Sequence, residues 1–365
     1  MFSKKEIYIF LITASIIGVG LVLTSCKPEP KPCESIGATP YVWEKPFRFP
    51  DMNIPADNPM TIEGIELGRF LFYDSTLSKN SVQSCGTCHK PEFGFSDIGN
   101  VKSFNANGIL TKRNTPALLN AGYQNKYFFD GRSATLEESI IDATDHELFT
   151  DWTNNVNYLK NDTFYANMFE KAFGCDAVTK ENIVKAMAQF IRTIVSSGNS
   201  EIDTKFFRTN NYTLLNPAAA RGFQIFTSER SDCFHCHFTN ILTTDNLFHN
   251  NGVQNSGGTF NFPDNGRGTI TAVQTDNAKM KTPTLRNIAL TPPYMHNGQF
   301  NTLREVVDFY ADSVHLSPTL DANMLHSGNI RLNLTNSERD DLIAFLETMT
   351  DTFVINNPKY RSPFK

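Results

Sequence analysis

Two five-residue segments, Cys85-Gly-Thr-Cys88-His89 and Cys233-Phe-His-Cys236-His237, have the residue types and spacing to bind haem covalently. In a C-x-x-C-H segment the two thiols form thioethers with the porphyrin vinyl groups, and the adjacent histidine reaches the iron. A thioredoxin-like redox pair or half of a zinc site uses two cysteines at the same spacing, but neither requires the following histidine. The sequence therefore predicts two haem c groups. The predicted thioether cysteines are Cys85, Cys88, Cys233 and Cys236, and the predicted axial histidines are His89 and His237.

The N-terminus is predicted to be a lipoprotein signal peptide over residues 1–25. Two lysines precede an apolar stretch, Ile7–Leu23, and a lipobox-like Leu-Thr-Ser-Cys26 segment follows. Lipid on Cys26 would anchor the protein to a bacterial membrane on its periplasmic side, where haem is attached to such motifs. An uncleaved N-terminal anchor is the alternative, because the apolar stretch is near the lower limit for a membrane span. Pro-rich residues 26–53 are predicted to form a tether.

The composition argues against binding to nucleic acid. The formal net charge is -5 and no basic run occurs, so nucleic acid is not an expected partner. The 30 phenylalanines suit apolar pockets for flat cofactors, although filling of an ordinary core explains part of that number. Two cysteines outside these motifs, Cys33 and Cys175, would be free to pair in an oxidising compartment, which the sequence alone does not decide.

Helical periodicity predicts a mainly α fold. The predicted helices are Thr61–Asp74, Leu136–Ile141, Glu181–Ser197, Pro217–Phe226, Leu303–Tyr310 and Ser337–Met349. A helix precedes each C-x-x-C-H motif and a long loop follows, which indicates an internal duplication. We therefore expect two cytochrome c-like domains, residues 54–205 and 206–365, each with one haem. Short strand pairs are expected near Thr269–Val273 only.

Further segments occur in order between Ile54 and Met349, in addition to the two haem motifs. They are Ile54–Pro59, Leu67–Asp74, Arg113–Pro116, Phe129–Arg132, Thr282–Asn287, Thr291–Gly298 and Thr302–Tyr310. Together they resemble the bacterial dihaem cytochrome c peroxidase family, including its methylamine-utilisation maturase (MauG) branch. In that family the first haem is the peroxidatic one and the second transfers electrons, and the resemblance implies the same order here.

The resemblance places the sixth ligand of the second haem at Tyr310. Family members usually have a methionine at this position, whereas the MauG branch has a tyrosine. A phenolate is a hard anionic donor, which should lower the reduction potential relative to a thioether. In the alternative interpretation Tyr310 only packs, and Met324 or Met349 binds the iron.

The first haem is expected to be five-coordinate and open. Many family members carry a distal histidine in the loop before the Arg-Asn-x-Pro motif, but this chain has no histidine between His89 and His146. The resemblance also implies a distal glutamate that moves a proton during peroxide cleavage. Glu147 is the best match, although the alignment shifts by one residue there; His146 competes with it, and a solvent-facing carboxylate is the alternative. The glutamine of the MauG branch is Ser139 here, which argues against a close copy of its oxygen chemistry.

Three further site features follow from the resemblance. Phe129 occupies the inter-haem position where the family has a tryptophan, so hole hopping through this residue is disfavoured. A calcium ion is implied between the domains, although a proline-rich turn without metal is the alternative. Its ligands would be Asn114, Thr291 and Pro293. Arg132 and Arg286 are candidates for pairing with haem propionates or for ordinary ion pairs.

The expected function is that of a lipid-anchored periplasmic dihaem peroxidase that reduces H₂O₂. Its electrons would come from a small reduced cytochrome or copper protein, and the resemblance adds a homodimer to the expected partners. Two alternatives stay open at this point. One is a MauG-like oxidase that acts on a partner protein, and the other is a dihaem electron carrier without peroxide chemistry.

Overall fold

The computed structural model describes residues 37–238, 242–325 and 330–364. Their secondary structure is mainly helical, which confirms the predicted fold class. The predicted signal peptide, with Cys26 and its lipid, and Cys33 lie outside the described residues. Cys175 is disulfide-bonded, but its pairing with Cys33 stays a prediction. No helix in the described part of the chain is long and apolar enough to cross a membrane.

The described residues contain the following regular elements. The helices are α1 (Ile62–Tyr73), α2 (Cys85–Cys88), α3 (Leu136–Ala143), α4 (Trp152–Asn161), α5 (Thr163–Phe173), α6 (Lys180–Arg192), α7 (Pro217–Phe226), α8 (Cys233–His237), α9 (Arg267–Thr271), α10 (Leu303–Asp312), α11 (Asn336–Glu347) and α12 (Thr352–Asn356). The strands β1 (Phe248–His249) and β2 (Met280–Lys281) form an antiparallel pair, with Phe248 opposite Lys281.

Local sequence signals explain where the longer helices begin. Thr61 and Thr302 cap α1 and α10 by accepting backbone N–H groups of the first turn, and Glu305 completes a capping box in α10. Asn216 caps α7, whose first residue is Pro217. The strand pair expected near Thr269–Val273 is wrong. That segment contains α9, a short helix closed by Ala272 in the left-handed conformation (φ +56°).

The helices that lead into the haem motifs cross later helices at glycines. Gly68 of α1 lies against Ala186 of α6, and Gly222 of α7 lies against Asp341 of α11. A Cβ atom added at either glycine would lie 1.9 Å from the carbonyl oxygen of the opposing residue. The backbones approach so closely that only glycine fits, and each crossing fixes the helix that precedes a haem motif.

Equivalent hydrogen bonds show that the chain contains two repeats, residues 62–194 and 217–349. The Ser96 hydroxyl donates to the carbonyl of Thr115 at 2.8 Å, and the Thr244 hydroxyl donates to that of Thr282 at 2.8 Å. Residues 114–143 align without a gap on residues 281–310. Each segment contains a backbone bridge between a tyrosine and the residue six positions later. The bridge joins Tyr127 to Ser133 in the first segment and Tyr294 to Phe300 in the second. The duplication predicted from the recurring motifs is therefore present.

The two repeats meet through a reciprocal pair of backbone hydrogen bonds. The N–H of Asn114 donates to the carbonyl of His296 at 2.8 Å, and the N–H of Lys281 donates to that of Phe129 at 2.7 Å. Asn114 corresponds to Lys281 in the alignment, and Phe129 corresponds to His296. The same bond is thus formed in both directions, so a pseudo-twofold axis relates the repeats at this junction.

Two hydrophobic clusters form the core, one in each repeat. Residues near each end of the described chain pack in the cluster of the repeat that is farther away in sequence. Val354 and Tyr360 pack in the first cluster, and Phe49 packs in the second. The predicted division into domains at residue 205 stays a prediction. Phe49 belongs to the predicted tether, and its side chain is only 4 % exposed.

Candidate functional site

The first haem motif presents its histidine in a fixed orientation. Cys85 and Cys88 lie in one helical turn, and the backbone N–H of His89 donates to the carbonyl of Cys85 at 2.8 Å. His89 Nδ1 is 2.8 Å from the carbonyl oxygen of Phe95. A carbonyl only accepts, so Nδ1 carries the proton and Nε2 is left with a lone pair for a metal. Burial lowers the pKa of His89, which keeps the ring neutral.

The second haem motif repeats this arrangement with one bond incomplete. Among the described residues, His237 Nδ1 is buried and has no partner in hydrogen-bond geometry, although the backbones of Thr243 and Pro283 lie close enough to raise its pKa. Burial outweighs them and lowers the pKa of His237 to about 4. Thr243 corresponds to Phe95, and both have a left-handed backbone (φ +57° and +60°). The turn that supplies the acceptor for His89 in the first motif therefore lies next to His237 in the second.

The two motifs fit covalent haem. Their four thiols are free and half-buried, as thioether formation requires. In the first motif, Gly86 lies so close to the ring of Tyr73 that an added Cβ would be 2.3 Å from it. Both histidines are half-buried and have a lowered pKa, which favours the neutral ring, and His89 is in addition oriented through Nδ1, the ring nitrogen that is not needed for iron.

Tyr310 lies beside the second motif. Burial raises the pKa of its phenol to about 12, and the charges of Cys233 and Cys236 act in the same direction, so the three groups are close. Asn251 Nδ2 donates to the phenol oxygen at 3.0 Å. That bond favours the phenolate over the phenol, because Asn251 donates and opposes the effect of burial. Iron ligation by Tyr310 stays a prediction.

The alternative ligands occupy different surroundings. Met349 is fully buried in the second hydrophobic cluster, and its carbonyl accepts the backbone N–H of Asn287 at 3.0 Å. Met324 packs at the edge of a small cluster that contains Tyr310 and Met295. Met295 Sδ is 3.5 Å from Asn251 Nδ2, so this thioether is near the phenol as well.

The first repeat has no equivalent of the Tyr310 side chain. In the gapless alignment Tyr310 corresponds to Ala143, the last residue of α3. A methyl group cannot bind a metal. The chain then enters a π-helical turn, Thr144–Leu148, which carries both candidate catalytic residues. Such turns are frequent at functional sites.

Glu147 and His146 point to different environments. Glu147 is half-buried, burial raises its pKa, and its charge acts on Cys85 and Cys88. Its carbonyl accepts the backbone N–H of Ala106 at 2.8 Å, so the loop before the Arg-Asn-Thr-Pro motif packs against it. His146 is exposed. The geometry therefore favours Glu147 as the group that faces the first haem motif.

Phe129 lies at the junction of the two repeats. Its ring is in edge contact with that of His296, 6.4 Å between centroids. The two rings occupy equivalent positions in the repeats. Burial lowers the pKa of His296 to about 4, so this imidazole is neutral.

Asn114, one of the predicted calcium ligands, lies at the same junction. Asn114 is buried, its Nδ2 donates to the carbonyls of Asn100 and Val101, and its backbone bond to His296 ties it to the loop that contains Thr291 and Pro293. Within the described residues its Oδ1 accepts no hydrogen bond, which leaves a neutral oxygen of the kind calcium prefers.

Both candidate propionate partners are already paired with carboxylates. Arg132 forms a bidentate pair with Asp142 and stacks on Phe128. Arg286 forms a buried bidentate pair with Asp203, at 2.8 and 3.0 Å. Ordinary ion pairing, the alternative interpretation, describes both arginines.

Sequence reasoning missed polar groups that lie near the second motif in space but outside it in the sequence. His249 lies between Asp245 and Asp321, 2.7 and 2.6 Å from their carboxylates, and these two bonds raise its pKa to about 12. This imidazolium precedes Asn251 by two residues. A histidine outside both haem motifs, followed by two asparagines, was the available signal.

Two C-x-x-C-H motifs on a duplicated helical fold are the features of a dihaem c-type cytochrome. The family model described as "Di-haem cytochrome c peroxidase" matches residues 62–211. The chain is 32% identical over 311 residues to a "Methylamine utilization protein MauG" of Methylophilus methylotrophus, covering 83% of this chain and 87% of the relative. It is 30% identical over 329 residues to a "Cytochrome-c peroxidase IdrP1" of Pseudomonas sp. (strain SCT), covering 83% and 84%.

A solved structure described as "a MauG-like protein associated with microbial copper homeostasis" superposes with a TM-score of 0.82 at 30% identity, covering 89% of this chain and 100% of that one. The chain therefore belongs to the dihaem cytochrome c peroxidase and MauG family. It is an oxidoreductase of the cytochrome c peroxidase type, and the family implies two haem c groups.

Proposed function

We propose that this protein reduces H₂O₂ to water at the first haem, with electrons delivered through the second. The balanced reaction takes H₂O₂, two electrons and two protons to two water molecules. The observation that carries the proposal is the difference between equivalent positions, Tyr310 in the second repeat and Ala143 in the first. Tyr310 would offer a phenol oxygen as a second axial ligand when the second haem is bound, whereas Ala143 at the equivalent position offers only a methyl group.

The haems would supply the redox chemistry when bound, through His89 at the first site and His237 with Tyr310 at the second. The carboxylate of Glu147 would take a proton from peroxide and return it to the departing oxygen, which then leaves as water. Its half-buried position and raised pKa support this role. His146 is exposed and is the weaker candidate.

The electron donor would be a small reduced cytochrome or copper protein outside the cytoplasm. Cytochrome-c peroxidases among the relatives support a cytochrome donor. We further propose a periplasmic location with a lipid on Cys26, from the lipobox-like segment, and a homodimer, as the family resemblance implies.

We also propose that calcium binds at Asn114, Thr291 and Pro293. Added calcium should raise the unfolding temperature, because a ligand that binds only the folded state stabilises it. The variant Asn114→Leu should lose this response while wild type keeps it. A calcium response that survives in Asn114→Leu would place the ion elsewhere, and no response in wild type would remove the site.

A second function has a specific observation in its favour. Tyr310 occupies the position where the MauG branch, whose members oxidise a partner protein, has a tyrosine. Phe129 and Ser139 argue against a close copy of that chemistry.

Steady-state kinetics of the purified dihaem protein separate the candidates. Continuous H₂O₂ turnover with reduced cytochrome c or a reduced copper protein is the expected result. Consumption of peroxide without such a donor, leaving a long-lived oxidised protein, would support the oxidase. No reaction with peroxide, together with two low-spin irons in the electron paramagnetic resonance spectrum, would leave an electron carrier.

A further inference from the structure

A buried lysine without a counter-ion lies at the junction of the two repeats. The Lys281 side chain is only 8 % exposed. Within the described residues, its ammonium group contacts one polar side chain, the neutral amide oxygen of Gln124. Burial alone lowers the pKa of Lys281 to about 7, because nothing nearby compensates its charge.

Every other deeply buried cation in the described residues has a carboxylate partner. The pairs are Arg113 with Asp130 and Asp264, Arg192 with Glu137, and Arg286 with Asp203. Burying a charge is costly unless it is paired. Lys281 is the exception, which indicates that an anion absent from the polypeptide belongs beside it.

The position of Lys281 relates it to the second haem motif. Pro283, two residues after Lys281, lies against His237, the predicted proximal ligand. Between them, the carbonyl of Thr282 accepts a hydrogen bond from the Thr244 hydroxyl, which ties the segment to the turn after the motif. Lys281 therefore lies at the edge of the second haem site that faces the first repeat.

The pseudo-twofold axis gives a further reason to place a cation here. Lys281 corresponds to Asn114, and Gln124 corresponds to Thr291. The contact between Lys281 and Gln124 thus occupies, in one repeat, the position that the proposed calcium site occupies in the other. An ammonium group bonded to an amide oxygen replaces a divalent ion bonded to neutral oxygens.

A second polar group nearby also lacks a partner. Asn246 Oδ1 is buried without a hydrogen bond to any residue that the structure describes, and the side chain lines a small cleft together with Gln124, Thr244 and Thr284. Buried polar groups are almost always satisfied in a complete structure. Rotation of the amide would present its N–H₂ group to the same anion.

We propose that the Lys281 ammonium binds a propionate carboxylate of the second haem and offsets its charge at the junction between the repeats. The haem brings the anion and the chain provides a preformed cation. A propionate left without this cation would stabilise ferric over ferrous iron. Lys281 therefore acts as a positioning residue that raises the reduction potential of the second haem.

Reductive titration of the purified dihaem protein tests the proposal without reference to peroxide turnover. In Lys281→Met, which keeps the length of the side chain but not its charge, the midpoint potential of the second haem should fall while that of the first changes less. Lys281→Arg should retain most of the wild-type potential. The matched control is Lys279→Met, two residues earlier, whose lysine pairs with Asp276 at the surface. Equal potentials in Lys281→Met and Lys279→Met would overturn the proposal.

A crystal structure of the wild-type holoprotein provides a second measurement, which decides the question even where Lys281→Met does not fold. Lys281 Nζ should lie about 2.7–3.0 Å from a propionate oxygen of the haem bound to His237. An ammonium that still contacts only Gln124, with the propionates elsewhere, would overturn the proposal. Neither result depends on whether the protein is a peroxidase, an oxidase or a carrier.

Discussion

Glu147 owes its suitability for proton transfer to burial rather than to a neighbouring charge. Burial is the largest cause of its raised pKa, and Asp142 adds to it while Arg132 opposes it. A carboxyl whose pKa lies closer to the working pH exchanges a proton more readily in both directions. Its exposed neighbour His146 shares the same turn without sharing this environment.

For the peroxide reaction, we expect Glu147→Gln to lower kcat/KM by about a hundredfold or more, the usual range for a lost acid–base group. Stopped-flow mixing with H₂O₂ measures this. In wild type the rate should fall as the pH drops through the raised pKa of Glu147, because only the carboxylate accepts a proton, and the variant should lose that dependence. The control is His146→Asn, and a comparable loss there would assign the role to the histidine.

For the second haem, the amide of Asn251 should tune how strongly a Tyr310 phenolate donates charge to iron. Asn251→Val removes the hydrogen bond to the phenol oxygen, so more negative charge stays on that oxygen, and we expect stabilised ferric iron and a lower midpoint potential. Met295→Leu is the matched control, because it removes the other contact of Asn251 and leaves the bond to Tyr310. An altered potential in Met295→Leu, with none in Asn251→Val, would point to the thioether as the ligand.

At the scale of elements, the two helix crossings determine where the haem motifs lie. Each crossing places a glycine against a carbonyl group of the opposing helix, and a phenylalanine one turn further along that helix packs beside it. A Cβ atom added at Gly68 would lie 3.0 Å from Phe190 Cβ, and one added at Gly222 would lie 2.8 Å from Phe345 Cβ. Neither neighbour is the flexible end of a side chain. An extra methyl group must therefore separate the helices.

We expect Gly68→Ala and Gly222→Ala each to destabilise the fold by about 2–3 kcal/mol or more, the cost of overpacking a close contact. Thermal unfolding followed by circular dichroism should show a lower midpoint in each variant. Gly37→Ala is the control, because no atom lies within 4 Å of a Cβ added there. Wild-type midpoints in both crossing variants would show that the helices can separate at little cost.

At the scale of the whole molecule, a buried ion pair connects the two repeats. Arg113 of the first repeat pairs with Asp264 of the second at 2.7 Å and with Asp130 of its own at 2.5 Å, and these side chains are 8–12 % exposed. The Arg113 guanidinium lowers the pKa of Asp264. A carboxylate with a lowered pKa in the folded state stabilises the fold above its unfolded pKa, and this contribution is lost as the pH falls.

We expect Asp264→Asn to destabilise the protein by about 3 kcal/mol near neutral pH, because it leaves a buried guanidinium partly unpaired. The difference from wild type should shrink as the pH falls below about 4, the unfolded value for aspartate. Thermal unfolding of both proteins between pH 3 and about 7 measures this. Asp276→Asn, which removes a more exposed pair with Lys279, is the control. An equal loss of stability in Asp276→Asn would show that the pair between the repeats contributes no more than this one.

Sequence-local features of this protein were accessible without coordinates. The C-x-x-C-H motifs and the helices before them depend on short-range spacing, and Pro217–Phe226 agrees with its prediction at both ends. The interest in Tyr310 came from the family resemblance instead. Glu147 was harder, because a single carboxylate in a helical turn has no pattern that reveals its burial. The choice between Glu147 and His146 needed the packing of the loop at Ala106.

The amino-acid sequence by itself determined the haem chemistry, the duplication and the family, because residue types at fixed spacing carry that information. Only the tertiary structure decided which groups meet at the pseudo-twofold axis. Asn114 and Lys281, or Phe129 and His296, are far apart in the chain, and no local spacing reports their approach. Their contacts arise because two similar repeats pack face to face and exchange equivalent backbone hydrogen bonds, which also buries the Lys281 ammonium beside the second haem motif.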